Sequence, residues 1–282
     1  MVIQWYPGHM AKAKREILES LKLVDVIVVL ADARAPQSTI NPELEFPKEK
    51  KTITVLTKED LADPDCTRQW VQAFRDRGIH ALALNVLQAN AIGSLVRAIR
   101  EMGGRSQKNR RVLVVGIPNV GKSSLINRLA DRGSAKVGAK PGVTRGRQWI
   151  KSRGLQFLDT PGVLWPRFAD QEQALRLALL GSVKDELYEW EPTAEYLLHY
   201  VRHRYPGTIT ERYQIDEGAS DLLTAIGERR GCLQSGGTVD REKAAFLIIN
   251  EFRRGQWGRV SLEWPPKKEE ASSGSEAGTD AS

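Results

Sequence analysis

Nine consecutive residues, Gly116-Ile117-Pro118-Asn119-Val120-Gly121-Lys122-Ser123-Ser124, constrain this chain more than any other stretch. The apolar run Val112 to Val115 leads into them, and a helix-like stretch, Leu125 to Ala130, leaves them. Strand, glycine loop and helix in that order are what a phosphate cradle requires. Gly116 and Gly121 let the backbone turn so that successive N–H groups, among them those of Asn119 and Val120, point inward at an anion. The helix that follows, opening at Lys122, Ser123 and Ser124, adds unsatisfied N–H groups and the positive end of its dipole. Lys122 reaches the outer phosphates in such a loop, and the Ser123 hydroxyl ligates Mg²⁺. The stretch is a nucleotide-phosphate site.

A chain of 282 residues has room for one medium domain and a smaller one, each with a core. Its 42 Lys and Arg against 35 Asp and Glu leave a net charge of +7, which favours polyanionic partners, nucleic acid first. The same excess also suits a merely basic, well-solvated surface. Cys66 and Cys232 lie far apart in no metal or redox spacing, so they read as reduced thiols with no structural disulfide. No run approaches the roughly 20 apolar residues of a membrane span. The start, Met1 to Pro7, has neither the basic end nor the apolar core of a signal peptide. The expectation is a cytoplasmic monomer with no membrane partner.

Taken in order, residues 1–9 read as a short aromatic arm, and Met10, Ala13, Ile17 and Leu21 recur at helical spacing after it. Asp25 to Asp32 reads as a strand buried on both faces, as in parallel sheets, and Thr52 to Leu56 and Ala81 to Asn85 as two more. Helices at about Asp65–Asp76 and Ala91–Met102 alternate with them, the signature of an open α/β sheet. The polar stretch 103–111 reads as a flexible connector, and the glycine-rich stretch Gly138 to Arg147 as a mobile loop. Gln148–Lys151 and Leu155–Leu158 form a hairpin around Ser152-Arg153-Gly154. Beyond Trp165 the pattern turns helical, at about Asp170–Leu180, Pro192–His203, Ser220–Arg230 and Asp240–Arg254, the last capped by Asp240 and stopped by Gly255. Pro266 to Ser282 lacks large apolar residues and is expected to be disordered. The expected organisation is an arm and helix (1–20), an α/β nucleotide domain (21–167), a small all-helical domain (168–265) and a tail (266–282).

Three further elements complete a nucleotide site. Asp159, closing a buried strand before Pro161 and Gly162, stands where a second carboxylate holds Mg²⁺, and the Gly162 N–H is available to a γ-phosphate. Thr144, in Pro141-Gly142-Val143-Thr144-Arg145, can close its hydroxyl onto the metal when that phosphate is present. Asp159 to Gly162 also suits an ordinary β-turn. In Thr57-Lys58-Glu59-Asp60, the Asp60 carboxylate can accept from the N1–H and exocyclic amine of guanine, donors that adenine lacks. The Lys58 stem can lie along the purine face. The competing reading of this stretch is an acidic cap on the next helix.

Together these elements resemble the five marker motifs of translation-factor-class GTPases, in permuted order: Thr57–Asp60 and a loop at Asn85 precede the phosphate loop, Thr144 and Asp159–Gly162. With Trp5-Tyr6-Pro7-Gly8-His9-Met10 and Asp32-Ala33-Arg34-Ala35-Pro36, the chain resembles the ribosome biogenesis GTPase A family (YlqF/RbgA) from the arm to about Trp264. The resemblance implies a circularly permuted P-loop GTPase domain, a mostly parallel sheet flanked by helices, with a small all-helical C-terminal domain. It implies a cytoplasmic, Mg²⁺-dependent enzyme that binds GTP and GDP. It also implies help in late assembly of the large ribosomal subunit, and contact with its rRNA through the helical domain. Two departures stand out. Thr57 replaces the usual Asn and, lacking an amide, is not expected to span base and phosphate loop. Leu84-Asn85-Val86 stands where Ser-Ala is usual.

Val163 follows Gly162 where many GTPases carry a glutamine that orients the attacking water, so hydrolysis by the chain alone is expected to be slow. Two replacements are open: His9, delivered from a flexible arm, or K⁺ bound with the help of Asn119. Candidate RNA contacts are Lys12, Lys14 and Arg15, then Arg105 to Arg111, and in the helical domain Arg202, Arg204, Arg241, Lys243, Arg253 and Arg254, with Trp257 as a stacking platform. The first reading is an rRNA-bound GTPase switch. The alternatives are a nucleotide-gated RNA chaperone with incidental hydrolysis, or a GTPase for another RNA.

Overall fold

Strands β1 (Val26–Asp32), β2 (Lys51–Thr57) and β4 (Arg110–Gly116) are runs of β-branched and aliphatic residues, and β1 is buried at every position. Strands buried on both faces need cover on both, and parallel pairing with helices above and below supplies it. In the computed structural model, residues 8–102, 109–131, 148–165, 168 and 170–266 are described. They contain a six-stranded sheet in the order β3-β2-β1-β4-β6-β5, with β3 at His80–Leu84, β5 at Gln148–Ser152 and β6 at Leu155–Asp159. All neighbours pair parallel except β5, which returns antiparallel beside β6. The β5–β6 turn is tight because Arg153 (φ 47°) and Gly154 (φ 76°) both take left-handed backbone, as a two-residue hairpin turn demands.

Alternate strand residues divide the core between the two faces. Ile27, Val29, Leu113 and Val115 pack under α1 (Gly8–Ser20) through Ala13 and Ile17. Nearby, Ala31 and Leu56 meet Cys66, Trp70 and Phe74 of α2 (Pro64–Asp76). On the opposite face Val28, Val55 and Val114 meet α3 (Ala91–Glu101) and α4 (Lys122–Asp131). That apolar cluster runs on without a break into the helical C-terminal region. This region consists of α5 (Gln171–Leu179), α6 (Trp190–Arg204), α7 (Thr208–Tyr213), α8 (Leu222–Arg229) and α9 (Arg241–Arg253). The Asp240 carboxylate caps α9 at the Lys243 N–H (3.0 Å), and Gly255 ends it at φ 72°.

Several expectations change here. α1 begins at Gly8, so His9 sits in the first turn of a helix rather than in the arm. Arg110 and Arg111 belong to β4 rather than to a connector, and Arg110 is buried with its guanidinium on the Ile99 carbonyl (3.2 Å). Trp257 is no RNA platform. It is buried with its ring edge-on to Tyr213 (5.7 Å) and Phe252 (6.3 Å). Arg241 is engaged by Glu191, Glu195 and Asp221 at 3.0, 2.6 and 2.6 Å. Arg253 donates to the Ala178 carbonyl (2.7 Å) and to Tyr188 Oη (2.8 Å). Lys243 and Arg254 remain exposed. Helix α7, flanked by left-handed Gly207 and Gln214, is too short to show a helical period. Residues 1–7, most of the connector, the Gly138–Arg147 loop with Thr144, and the tail beyond Pro266 lie outside the described residues.

The last described stretch of the chain returns to the sheet. The Val260 N–H donates to Leu61 O (3.1 Å) and the Leu262 N–H to Arg34 O (2.7 Å). The Glu263 carbonyl accepts from Trp70 Nε1 (2.8 Å) and its carboxylate from Ser38 Oγ (2.8 Å).

Candidate functional site

Parallel strands deliver their following loops to one edge of the sheet, and ligands bind at that carboxyl edge. Here β1, β2 and β4 end at Asp32, Thr57 and Gly116, in a register that sets Asp32 beside Thr57 and Leu30 beside Gly116. The phosphate loop and the Thr57–Asp60 loop therefore emerge on the same side, with only β1 between them.

The phosphate loop turns through left-handed backbone at Asn119 (φ 62°) and Gly121 (φ 93°). A side chain at Gly116 would sit 2.8 Å from Val120 Cγ2 and 3.0 Å from the Leu30 carbonyl, so only glycine fits. Lys122, 8% exposed, donates from Nζ to the carbonyls of Gly116 (3.1 Å) and Ile117 (3.0 Å). Burial lowers its pKa to about 8, against the opposing pull of Asp159. The same attraction places the Asp159 carboxylate near Lys122, while Ser123 and Ser124 lie exposed in the first turn of α4. A hydroxyl and a carboxylate are hard oxygen donors, the set Mg²⁺ prefers, so the residues present fit that ion.

The Asp159–Gly162 turn is pinned by the Thr160 hydroxyl on Val114 O (2.7 Å). A Cβ at Gly162 would fall 2.9 Å from Lys122 Nζ and 2.9 Å from Pro118 N, so this glycine lies directly against the phosphate loop. Val163 is 1% exposed and its N–H reaches Gly116 O (3.4 Å). The chain after Gly162 thus dives into the core and offers no polar side chain to a water. A cleft of about 680 Å³ opens between Pro118, Asn119 and Gly162 on one wall and the turn after α5, including Gly181 and Lys184, on the other. Across it the Asn119 side-chain amide donates to the Gly181 carbonyl.

In the Thr57–Asp60 loop the structure revises the expectation for Thr57 on the phosphate-loop side alone. The Thr57 hydroxyl, fully buried, lies 2.6 Å from the Val120 carbonyl and 3.0 Å from that of Ala31. A shorter side chain than Asn therefore still ties β2 to the phosphate loop. Its replacement by valine, nearly isosteric, is expected to cost about 1–2 kcal/mol by removing a buried hydroxyl-to-carbonyl hydrogen bond. Urea denaturation reads this, and an unchanged midpoint would refute it.

Lys58 takes φ 55° and sets its ammonium 2.8 Å from Asp32. The Glu59 carboxylate accepts from the Asn85 N–H (2.8 Å), joining this loop to the one after β3, where Asn85 Oδ1 holds the Leu87 N–H (2.9 Å). The cap of α2 is Asp63, which accepts from the N–H groups of Asp65 (2.8 Å) and Cys66 (3.0 Å), and Asp60 is exposed. The acidic helix cap is thus supplied by another residue. Two features escaped sequence reasoning: the Asp32–Arg34 clamp and the Asn119–Gly181 contact. The first carried a signal, a carboxylate closing an otherwise apolar strand two residues before an arginine. The second had none, since α5 follows its own local pattern.

Comparison with known proteins agrees with this geometry. A family model described as 50S ribosome-binding GTPase matches residues 111–226. Ribosome biogenesis GTPase A of Bacillus cereus is 42% identical over 280 residues, covering 94% of this chain and 95% of that protein. The chain belongs to the ribosome biogenesis GTPase A family. The Thermotoga maritima member is 35% identical over 264 residues, with 93% and 95% covered. Mitochondrial ribosome-associated GTPase 1 of Bos taurus is 37% identical, with 93% and 89% covered. GNP-bound YlqF from T. maritima superimposes with a TM-score of 0.70 at 32% identity, covering 91% of this chain and 99% of that one. Like the family, this chain is a GTPase built on the permuted order, with β2 and the Thr57–Asp60 segment ahead of its phosphate loop. Among the described residues no helix is long and apolar enough to cross a membrane.

Proposed function

We propose that this chain is a GTP-hydrolysing switch that binds ribosomal RNA and assists late assembly of the large ribosomal subunit in the cytoplasm. The observation that carries the reading is the Thr57 hydroxyl on the Val120 carbonyl, because it joins the base-reading loop to the phosphate loop in one rigid edge. On this reading the N–H groups of residues 119–124 hold the phosphates of GTP or GDP, and Lys122 neutralises the outer ones. Asp60 accepts from guanine, and the Lys58 stem lies along the purine. Ser123 and Asp159, with Thr144, would hold Mg²⁺, which when bound neutralises charge on the β- and γ-phosphate oxygens. The Gly162 N–H reads the γ-phosphate. Residues 168–265 form the RNA-binding unit, with Lys243 and Arg254 among its exposed cations.

Because Val163 is buried, the water-positioning group must come from elsewhere. His9, in the first turn of α1, is one source, and K⁺ held with Asn119 is the other. If His9 acts, His9→Ala lowers particle-stimulated turnover by about 10²-fold and leaves GDP affinity intact. Unchanged stimulated turnover eliminates it. If K⁺ acts, turnover in K⁺ exceeds that in Na⁺ by more than tenfold, and equal rates eliminate the cation.

The buried Val163 also favours a second reading, a nucleotide-gated RNA chaperone in which hydrolysis is incidental. GTP turnover with and without purified large subunits, at several salt concentrations, separates the two. The switch reading expects strong stimulation that falls steeply with salt. No stimulation leaves the chaperone. RNA recovered with the protein distinguishes ribosomal RNA from another RNA target.

A further inference from the structure

Asp32 closes β1 at the carboxyl edge and has no part in the nucleotide contacts described above. Its side chain is 1% exposed, and Arg34 is 2% exposed. Arg34 grips it with two parallel bonds, Nε to Oδ1 at 3.0 Å and Nη2 to Oδ2 at 2.8 Å, and its backbone N–H adds a third to Oδ1 at 3.1 Å. A buried, bidentate arginine–carboxylate pair is explicable as structure alone. The second cation is not. Oδ2 also receives the Lys58 ammonium at 2.8 Å, and Lys58 is the partly exposed lysine of the base-reading loop. Burial alone would push the Asp32 carboxyl upward, but Arg34 and Lys58 overcome it and hold the group well below the usual carboxylate range.

Arg34 is in turn gripped by the C-terminal region. Its guanidinium lies 5.3 Å from the Phe252 ring centroid in α9, and its carbonyl accepts from the Leu262 N–H at 2.7 Å. A chain of direct contacts therefore runs from α9 through Arg34 and Asp32 to Lys58.

We propose that Asp32 is a positioning residue for guanine-nucleotide binding, holding Lys58 so that its stem lies across the purine, and that Arg34 makes this hold depend on the docked C-terminal region. The proposal rests on the reading of Thr57–Asp60 as the guanine-recognition loop. The physical reason is entropic. A lysine stem has many rotamers, and one tethered at both ends loses less freedom when a base stacks on it. The left-handed backbone of Lys58 fixes one end, and Asp32 fixes the other. Withdrawal of Phe252 and Leu262 would loosen Arg34, then Asp32, then Lys58, and so release nucleotide.

The test is the dissociation rate of fluorescent mant-GDP from the full chain carrying Asp32→Asn, Lys58→Met or both. Each single variant is expected to release nucleotide about tenfold faster, and the double variant no faster than Lys58→Met alone. Multiplying effects would assign Asp32 a general structural role and overturn the proposal. So would unchanged or slower release from Asp32→Asn, which would make its bond to Lys58 a competitor of the nucleotide. Because Asp32→Asn leaves Arg34 poorly paired in a buried site and can impair folding, Phe252→Leu provides an independent arm. It is expected to speed release several-fold in the parent chain and not at all in Lys58→Met. Unaltered release from Phe252→Leu overturns the dependence on the C-terminal region. Failure of the underlying reading looks different: the unaltered chain would not prefer mant-GDP to mant-ADP, or Lys58→Met would leave release unchanged.

Discussion

Replacing Lys122 by methionine is expected to lower GTP turnover by about 10²–10³-fold, the usual cost of removing one preorganised charge from a phosphoryl-transfer site. Methionine matches the lysine stem in volume, so the loop's packing survives and the loss reports charge rather than collapse. Two backbone carbonyls hold the ammonium at the loop, with Nζ 3.1 and 3.0 Å from the carbonyls of Gly116 and Ile117. Turnover within a few-fold of the parent would refute the role. A pH signature accompanies it. Burial brings the Lys122 pKa down to about 8, and phosphate oxygens would raise it. Bound nucleotide then holds a proton that the empty site has lost above pH 8. The linkage predicts that GDP affinity is highest below pH 8 and declines as pH rises through and beyond it. Calorimetry in buffers of different ionisation enthalpy would detect proton uptake above pH 8, and Lys122→Met should abolish both uptake and decline.

Asp60→Asn is expected to weaken GTP binding by at least about 10²-fold while creating affinity for xanthosine triphosphate. The guanine edge offers two donors, N1–H and the exocyclic amine, and a carboxylate accepts both. An asparagine keeps one acceptor and substitutes a donor, which faces the guanine amine donor to donor. Xanthine carries a carbonyl at that place and restores the pairing. Competition against labelled GDP reads both effects. Equal loss for both nucleotides, or no loss for GTP, would show that Asp60 does not read the base. The exposure of Asp60 and the assignment of the α2 cap to Asp63 make the test specific, since helix stability is not at stake.

How far the sequence carried these expectations depends on the range of the interaction. The phosphate loop was legible because its needs are local: an apolar strand, left-handed backbone at Gly121, and a helix N-terminus within nine residues. The hairpin at Arg153-Gly154 and the cap at Asp240 were legible for the same reason, each being decided within four residues. The cationic side chains were not. Arg241, Arg253 and Arg110 look alike in sequence, yet each is satisfied by partners on other elements of the fold. Trp257 has the composition of a stacking platform and the surroundings of a core residue. Six-residue α7 lacks enough turns to show a period.

By itself the amino-acid order determined the strands and most of the helices, the phosphate loop, and the place of the Thr57–Asp60 segment ahead of that loop. Caps, turn backbone and hydrophobic period act between near neighbours, so they are written where they operate. Only the tertiary structure decided that Thr57 reaches Val120, that Asp32 is shared between Arg34 and Lys58, and that the segment ending at Trp264 returns to the sheet. Those contacts join residues whose distance in space is set by the strand order β3-β2-β1-β4-β6-β5, a property that no single stretch of the chain contains.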